Sequence, residues 1–95
     1  MSFDDIMKNL QLNYLKDLES RLSSLDDFKG KIDEREEDLR TFFHQLKGSG
    51  ASYGIPKVSE VGKNYEDKVK SNAFTDEDLS AAKKELEEVL KTHLS

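Results

Sequence analysis

Apolar residues recur at steps of three and four along this chain, and no segment shows the strict alternation of a half-buried strand. The first such run consists of Leu12, Leu15, Leu18, Leu22 and Leu25. Residues at these steps share one face of an α-helix, so the run predicts a helix from about Leu10 to Leu25. We expect a short additional helix before it, with Phe3, Ile6 and Leu10 as its apolar edge, and a loop over residues 26–33.

Two further helices follow by the same criterion. The second is predicted over about Glu34–Tyr53, and Gly54 is suited to end it in the left-handed conformation. Pro56 suits the first turn of the third helix, which should end near Asn72. The predicted inward residues are Leu39, Phe42, Phe43, Leu46 and Tyr53 in the second helix and Val58, Val61, Tyr65 and Val69 in the third.

The start of the last helix is predicted by the sequence Thr75-Asp76-Glu77-Asp78, in which a hydroxyl and carboxylates can accept hydrogen bonds from the free amides of the first turn. It should run nearly to Leu94, with Leu79, Ala82, Leu86, Val89 and Leu90 facing inward. Four amphipathic helices with short connections predict an all-α, up-down four-helix bundle. We expect one domain over residues 1–95, and a monomer, because four helices can close their own core.

Composition narrows the class of protein further. The chain has 95 residues, 35% of them apolar, which supplies one modest core and no large enclosed active site. It has no cysteine, which removes disulfides and thiol catalysis, and its net charge of −5 disfavours nucleic acid. No run approaches the roughly 20 apolar residues of a membrane span, and the N-terminus lacks the basic start and apolar stretch of a secretory signal. We therefore expect a cytoplasmic protein that binds neither nucleic acid nor membrane.

One histidine lies away from the predicted core. With Leu39 at zero on a helical wheel, His44 falls at about 140° and Gly48 near 180°. A glycine in an exposed helix interior costs about 1 kcal/mol relative to alanine, and core packing does not require one there. Gly48 leaves the imidazole unobstructed, and Lys47 can offer a cation to an anion bound to it. Spacing alone leaves open that His44 is an ordinary surface histidine and Gly48 a tolerated defect.

The stretch from His44 to Gly54, HQLKGSGASYG, resembles the signature of histidine phosphotransfer domains, H-x-L-K-G-S followed by small residues and a glycine. Val58, Val61 and Tyr65 occupy the spaced apolar positions of that family, and Glu66 stands where an acidic or amide residue commonly follows. The resemblance is tight over residues 39–66 and loose over most of the rest.

The resemblance implies a phosphorelay protein with His44 as the phosphorylated residue. Lys47 would hold the phosphoryl oxygens, Gly48 would provide clearance, and Glu66 would hydrogen-bond the far ring nitrogen. The implied partners are response-regulator receiver domains and a histidine kinase or hybrid kinase. No cofactor is implied on this chain, because Mg²⁺ would be bound by the receiver domain. The protein would be a carrier rather than an enzyme, and a start at Met1 favours a free-standing shuttle.

Two positions depart from the family's commonest pattern. Gly50 follows Ser49 where serine or alanine is more usual, and Lys63 falls near the site where chemotaxis kinases often have a second histidine. Lys70 lies one turn beyond Glu66 and could add positive charge, although a lysine on a solvated face is usually only that.

The sequence admits three other interpretations. A nucleotide loop is disfavoured because the glycine run ends a helical pattern and no strand precedes it. A metal site at His44 and Glu66 lacks further ligands of suitable spacing, and His93 suits the helix dipole near the end of the last helix. The main alternative is a non-catalytic helical bundle that docks receiver domains without transferring phosphate.

Overall fold

The computed structural model describes residues 2–94 and consists of four α-helices around one apolar core. The helices are α1 (Phe3–Leu22), α2 (Glu36–Ser52), α3 (Pro56–Lys70) and α4 (Asp76–Leu94). Within residues 2–94 there is no strand, so the predicted all-α four-helix bundle is confirmed. Successive helices run in opposite directions. Gln11 and Arg21, which follow one another along α1, contact Tyr53 and Gln45 in the reverse order. Lys68 near the end of α3 contacts Asp78 near the start of α4. In the same part of the chain, none of the helices has the length and apolar character needed to cross a membrane.

The predicted short helix before α1 does not exist as a separate element, because α1 is continuous from Phe3. Its start is capped by Ser2, whose hydroxyl accepts a hydrogen bond from the Asp5 amide at 3.2 Å. The residues predicted as an apolar edge, Phe3, Ile6 and Leu10, are exposed. Gln11 already contacts Tyr53, the residue that follows α2, so the residues before Gln11 extend past the end of α2.

The inward face of α1 is narrower than predicted. Leu15, Leu18 and Leu22 are buried, whereas Leu12 is 39% exposed. A step of three residues turns a side chain by about 60° relative to its neighbour on the face, and at Leu12 this turn leads away from the core. Periodicity alone does not distinguish residues at the edge of the buried face of α1 from residues at its centre.

The chain after Leu22 was also predicted wrongly. The α-helix does not continue to Leu25 and then open into a loop, because residues Ser23–Phe28 form a 3₁₀-helix. A 3₁₀-helix has three residues per turn, so Leu25 and Phe28 lie on the same side and both are buried. Lys83 of α4 donates a hydrogen bond to Asp26 at 2.8 Å, which ties this segment to the bundle.

The connection between α2 and α3 follows its predicted signals. Gly54 has a φ of +74° and ends α2 in the left-handed conformation. The amide of Ile55 donates to the carbonyl of Gly50 at 2.8 Å, and Pro56 is the first residue of α3. The turn is therefore short enough to keep α2 and α3 side by side.

Two glycines let α2 and α3 approach more closely than side chains would allow. A Cβ atom on Gly50 would collide with the backbone of Ser59. A Cβ atom on Gly62 would lie 2.5 Å from the Lys47 amide nitrogen and 2.6 Å from the Phe43 carbonyl oxygen. The same pair of helices carries the candidate site.

The predicted start of α4 is confirmed by a reciprocal cap. The Thr75 hydroxyl accepts a hydrogen bond from the Asp78 amide, and the Asp78 carboxylate accepts one from the Thr75 amide at 3.0 Å. Lys68 of α3 donates to the same carboxylate at 2.8 Å. The bond from Lys68, together with those from Thr75, holds the pKa of Asp78 below its ordinary value.

Replacement of Asp78 by asparagine is expected to lower the free energy of unfolding at pH 7 by about 1 kcal/mol. A carboxyl whose pKa is depressed in the folded state contributes its full stabilisation above the unfolded pKa and loses it as the pH falls through the folded pKa. The difference between the wild type and Asp78→Asn should therefore shrink below about pH 4. Urea unfolding from pH 7 to pH 2 measures this, and a difference that persists at pH 2 would contradict the assignment.

Candidate functional site

His44 lies on the outward face of α2, and its side chain is 69% exposed. Its Nδ1 atom is 2.7 Å from Oε2 of Glu66 on α3. An ionised carboxylate only accepts hydrogen bonds, so Nδ1 carries the proton in this contact. A neutral imidazole then has its lone pair on Nε2, which makes no hydrogen bond to residues 2–94. The pair thus holds an accessible imidazole with a nucleophilic nitrogen directed away from Glu66.

Glu66 is the one charged residue found buried among residues 2–94, with 1% of its surface exposed. One carboxylate oxygen bonds His44, and the other, Oε1, has no hydrogen-bond partner within that range. The ammonium groups of Lys47 and Lys70 each lie 3.8 Å from Oε1. Two cations at this distance offset part of the desolvation cost of a buried carboxylate. Lys47 and Glu66, predicted as site residues, are therefore brought together with His44, and Lys70 joins them.

A cleft of about 290 Å³ opens beside the imidazole, and its lining includes Arg40 and Thr41 as well as His44, Glu66 and Lys70. Arg40 was not predicted from the sequence, although it precedes His44 by four residues and therefore shares its face of α2. The site has three basic side chains around one buried carboxylate, an arrangement suited to an anion at His44. Lys63, by contrast, forms no salt bridge in the described part of the chain.

Gly48 faces open space. A Cβ atom built on it would meet nothing within 4 Å, so no packing contact in the described chain requires a glycine there. A glycine in the interior of α2 carries a conformational cost, and no contact within the bundle compensates for that cost at Gly48. The surface at Gly48, one helical turn after His44, is therefore open.

A polar network on the other side of α2 joins it to α1. The Tyr14 hydroxyl contacts the Ser49 hydroxyl at 2.7 Å, and Ser49 donates to the Gln45 carbonyl at 2.6 Å. The rings of Tyr14 and Tyr53 stack at 4.5 Å, and burial raises the pKa of Tyr14. Arg21 donates to the Gln45 side chain at 2.9 Å. These contacts hold α2 from the side opposite Glu66, and no local pattern in the sequence predicts them.

Comparison with known proteins adds no assignment, since no family model, curated protein or solved structure matches the chain. Residues 2–94 contain no group of three or more His, Cys, Asp or Glu placed to hold a metal ion. The function must therefore be argued from the site and from the signature in α2.

Replacement of Glu66 by alanine is expected to release the imidazole. Without the carboxylate, neutral His44 should show the mixed tautomers of an exposed ring instead of protonation at Nδ1. Two-dimensional NMR of the ring ¹⁵N nuclei measures the change. Glu66→Gln is the matched control, because its amide oxygen can still accept from Nδ1. An unchanged spectrum in Glu66→Ala would remove Glu66 from the site.

Proposed function

We propose that this protein is a phosphohistidine carrier of a phosphorelay. His44 accepts a phosphoryl group from a receiver-domain aspartate or a histidine kinase and passes it to a response-regulator receiver domain. The observation that carries the proposal is the 2.7 Å contact between His44 Nδ1 and Glu66 Oε2 on an otherwise exposed imidazole. An ordinary surface histidine does not require a buried carboxylate beside it, and here the histidine of the pair is the first residue of the H-x-L-K-G-S pattern.

The transfer chemistry fits the atoms at hand. The lone pair of Nε2 attacks phosphorus, the N–P bond forms, and the bond from phosphorus to the aspartyl oxygen breaks, which leaves a free carboxylate on the donor. Positive charge developing on the ring is stabilised through Nδ1–H by Glu66. The phosphohistidine then donates to a receiver aspartate by the reverse step.

Basic side chains near His44 would stabilise the transferred group. Lys47 and Lys70 already lie close to Glu66, and their side chains are about half exposed, so they can reach outward to phosphoryl oxygens. An open surface site supplies little further catalysis, and the receiver would contribute its own metal-binding acidic residues. The chain therefore acts as a carrier in this proposal, in the cytoplasm and as a monomer, with no cofactor of its own.

The test is to mix the protein with ³²P-labelled receiver domains and with histidine kinases. Label should move to this chain in a form that is labile to acid and stable to alkali, as expected for phosphohistidine. Failure of every donor would contradict the proposal. Binding of receiver domains without transfer would support the non-catalytic docking module instead.

A further inference from the structure

Gly62 lies on α3 one turn before Glu66, against the turn of α2 that carries His44. The two backbone atoms nearest to such a Cβ atom, the Phe43 oxygen and the Lys47 nitrogen, lie on either side of His44 in the sequence. Ordinary Cβ contacts are 3.4–4 Å, whereas these would be 2.6 and 2.5 Å. Helix backbone atoms cannot rotate away as a side chain can. Any other residue at position 62 therefore requires α3 to move away from α2 by about 1 Å.

The same displacement would break the His44–Glu66 contact. Residues 62 and 66 are separated by one helical turn and share one face of α3, so Glu66 moves with Gly62. The Nδ1–Oε2 distance is 2.7 Å, and an added 1 Å exceeds the range of a hydrogen bond. We infer that Gly62 is a positioning residue, which sets the distance between α2 and α3 at which Glu66 fixes the tautomer of His44. Its importance for phosphoryl transfer rests on the proposed function, whereas its effect on the tautomer does not.

Gly50 offers a matched control. It lies on the face of α2 that packs against α3, and a Cβ atom there would collide with the Ser59 backbone. It is six residues from His44, close to the turn that joins α2 to α3. Ser59 lies in the first turn of α3, about two turns before Glu66, so the strain of Gly50→Ala should be taken up at that end of the helix and Glu66 should keep its contact with the imidazole.

The experiment is ring ¹⁵N NMR of His44 in Gly62→Ala, Gly50→Ala, Glu66→Ala and the double variant Gly62→Ala/Glu66→Ala. Gly62→Ala should keep its helical circular dichroism and show the mixed tautomers of Glu66→Ala. The double variant should match Glu66→Ala in the NMR spectrum and should transfer phosphate at the same rate within about twofold, because both changes remove one interaction. Gly50→Ala should lower the melting temperature and keep protonation at Nδ1.

An unaltered His44 spectrum in folded Gly62→Ala, or an equal change in Gly50→Ala, would overturn the inference. If Gly62→Ala does not fold, Glu66→Asp tests the same dependence on distance. It shortens the side chain by one methylene and leaves the backbone unchanged. Mixed tautomers in Glu66→Asp support a contact limited by distance, and retained protonation at Nδ1 overturns it. If the tautomers respond as expected but wild-type protein accepts no phosphate, the proposed function fails and the positioning role stands.

Discussion

The His44→Gln variant is expected to accept no phosphoryl group while keeping its fold. A glutamine amide is not a nucleophile, so the acceptor is lost entirely. Its NH₂ group can still donate to Glu66, so the buried carboxylate keeps a hydrogen bond. The free energy of unfolding should therefore stay within about 1 kcal/mol of the wild type. Parallel label transfer and urea unfolding measure both quantities.

His44→Leu provides the contrast in stability. It also removes the acceptor, but it leaves the buried Glu66 without a hydrogen bond, which should destabilise the fold by about 1–3 kcal/mol. Acid-labile label on His44→Gln would place the acceptor elsewhere, and His93, exposed near the end of α4, would be the residue to examine.

Replacement of Gly48 by leucine should raise stability and slow transfer, two effects of opposite sign. Leucine forms helix better than glycine by almost 1 kcal/mol, and the space above Gly48 is open. The longer side chain would, however, stand between the partner and the imidazole of His44. A displacement of the reacting atoms by about 1 Å can cost a hundredfold in rate, so we expect a loss of that order.

Stopped-flow or quench measurements of transfer, together with thermal unfolding, separate these effects. Gly48→Ala is the control, since one methyl group should change the rate by only a few-fold. A Gly48→Leu protein that transfers at the wild-type rate would show that Gly48 does not provide access. A loss of helical structure would contradict the open surroundings of this residue.

The elements predicted correctly are those whose structure depends on residues close together in the sequence. Gly54 and Pro56 bound a turn through their own backbone preferences, and Thr75 and Asp78 cap α4 through atoms three residues apart. The start of α1 was predicted wrongly because Phe3 and Leu10 have helical spacing without a partner to pack against. Periodicity indicates which residues share a face and does not indicate how far the neighbouring helices extend.

The candidate site likewise contains some residues that local spacing predicts and others that it does not. His44, Lys47 and Gly48 lie within two turns of one helix, so spacing predicted their common neighbourhood. Glu66 was reached only through the family resemblance, and the structure shows that it is buried. Gly62 could not be identified beforehand, because its role depends on the distance between two helices, which no local pattern records.

The most direct test of the account is to locate the phosphorus on the phosphorylated protein. After incubation of ¹⁵N-labelled protein with a phosphorylated receiver domain, ³¹P–¹⁵N correlation NMR should show phosphorus bonded to Nε2 of His44, with Nδ1 still protonated against Glu66. Phosphorus on Nδ1, on another residue, or on no residue of this chain would contradict it.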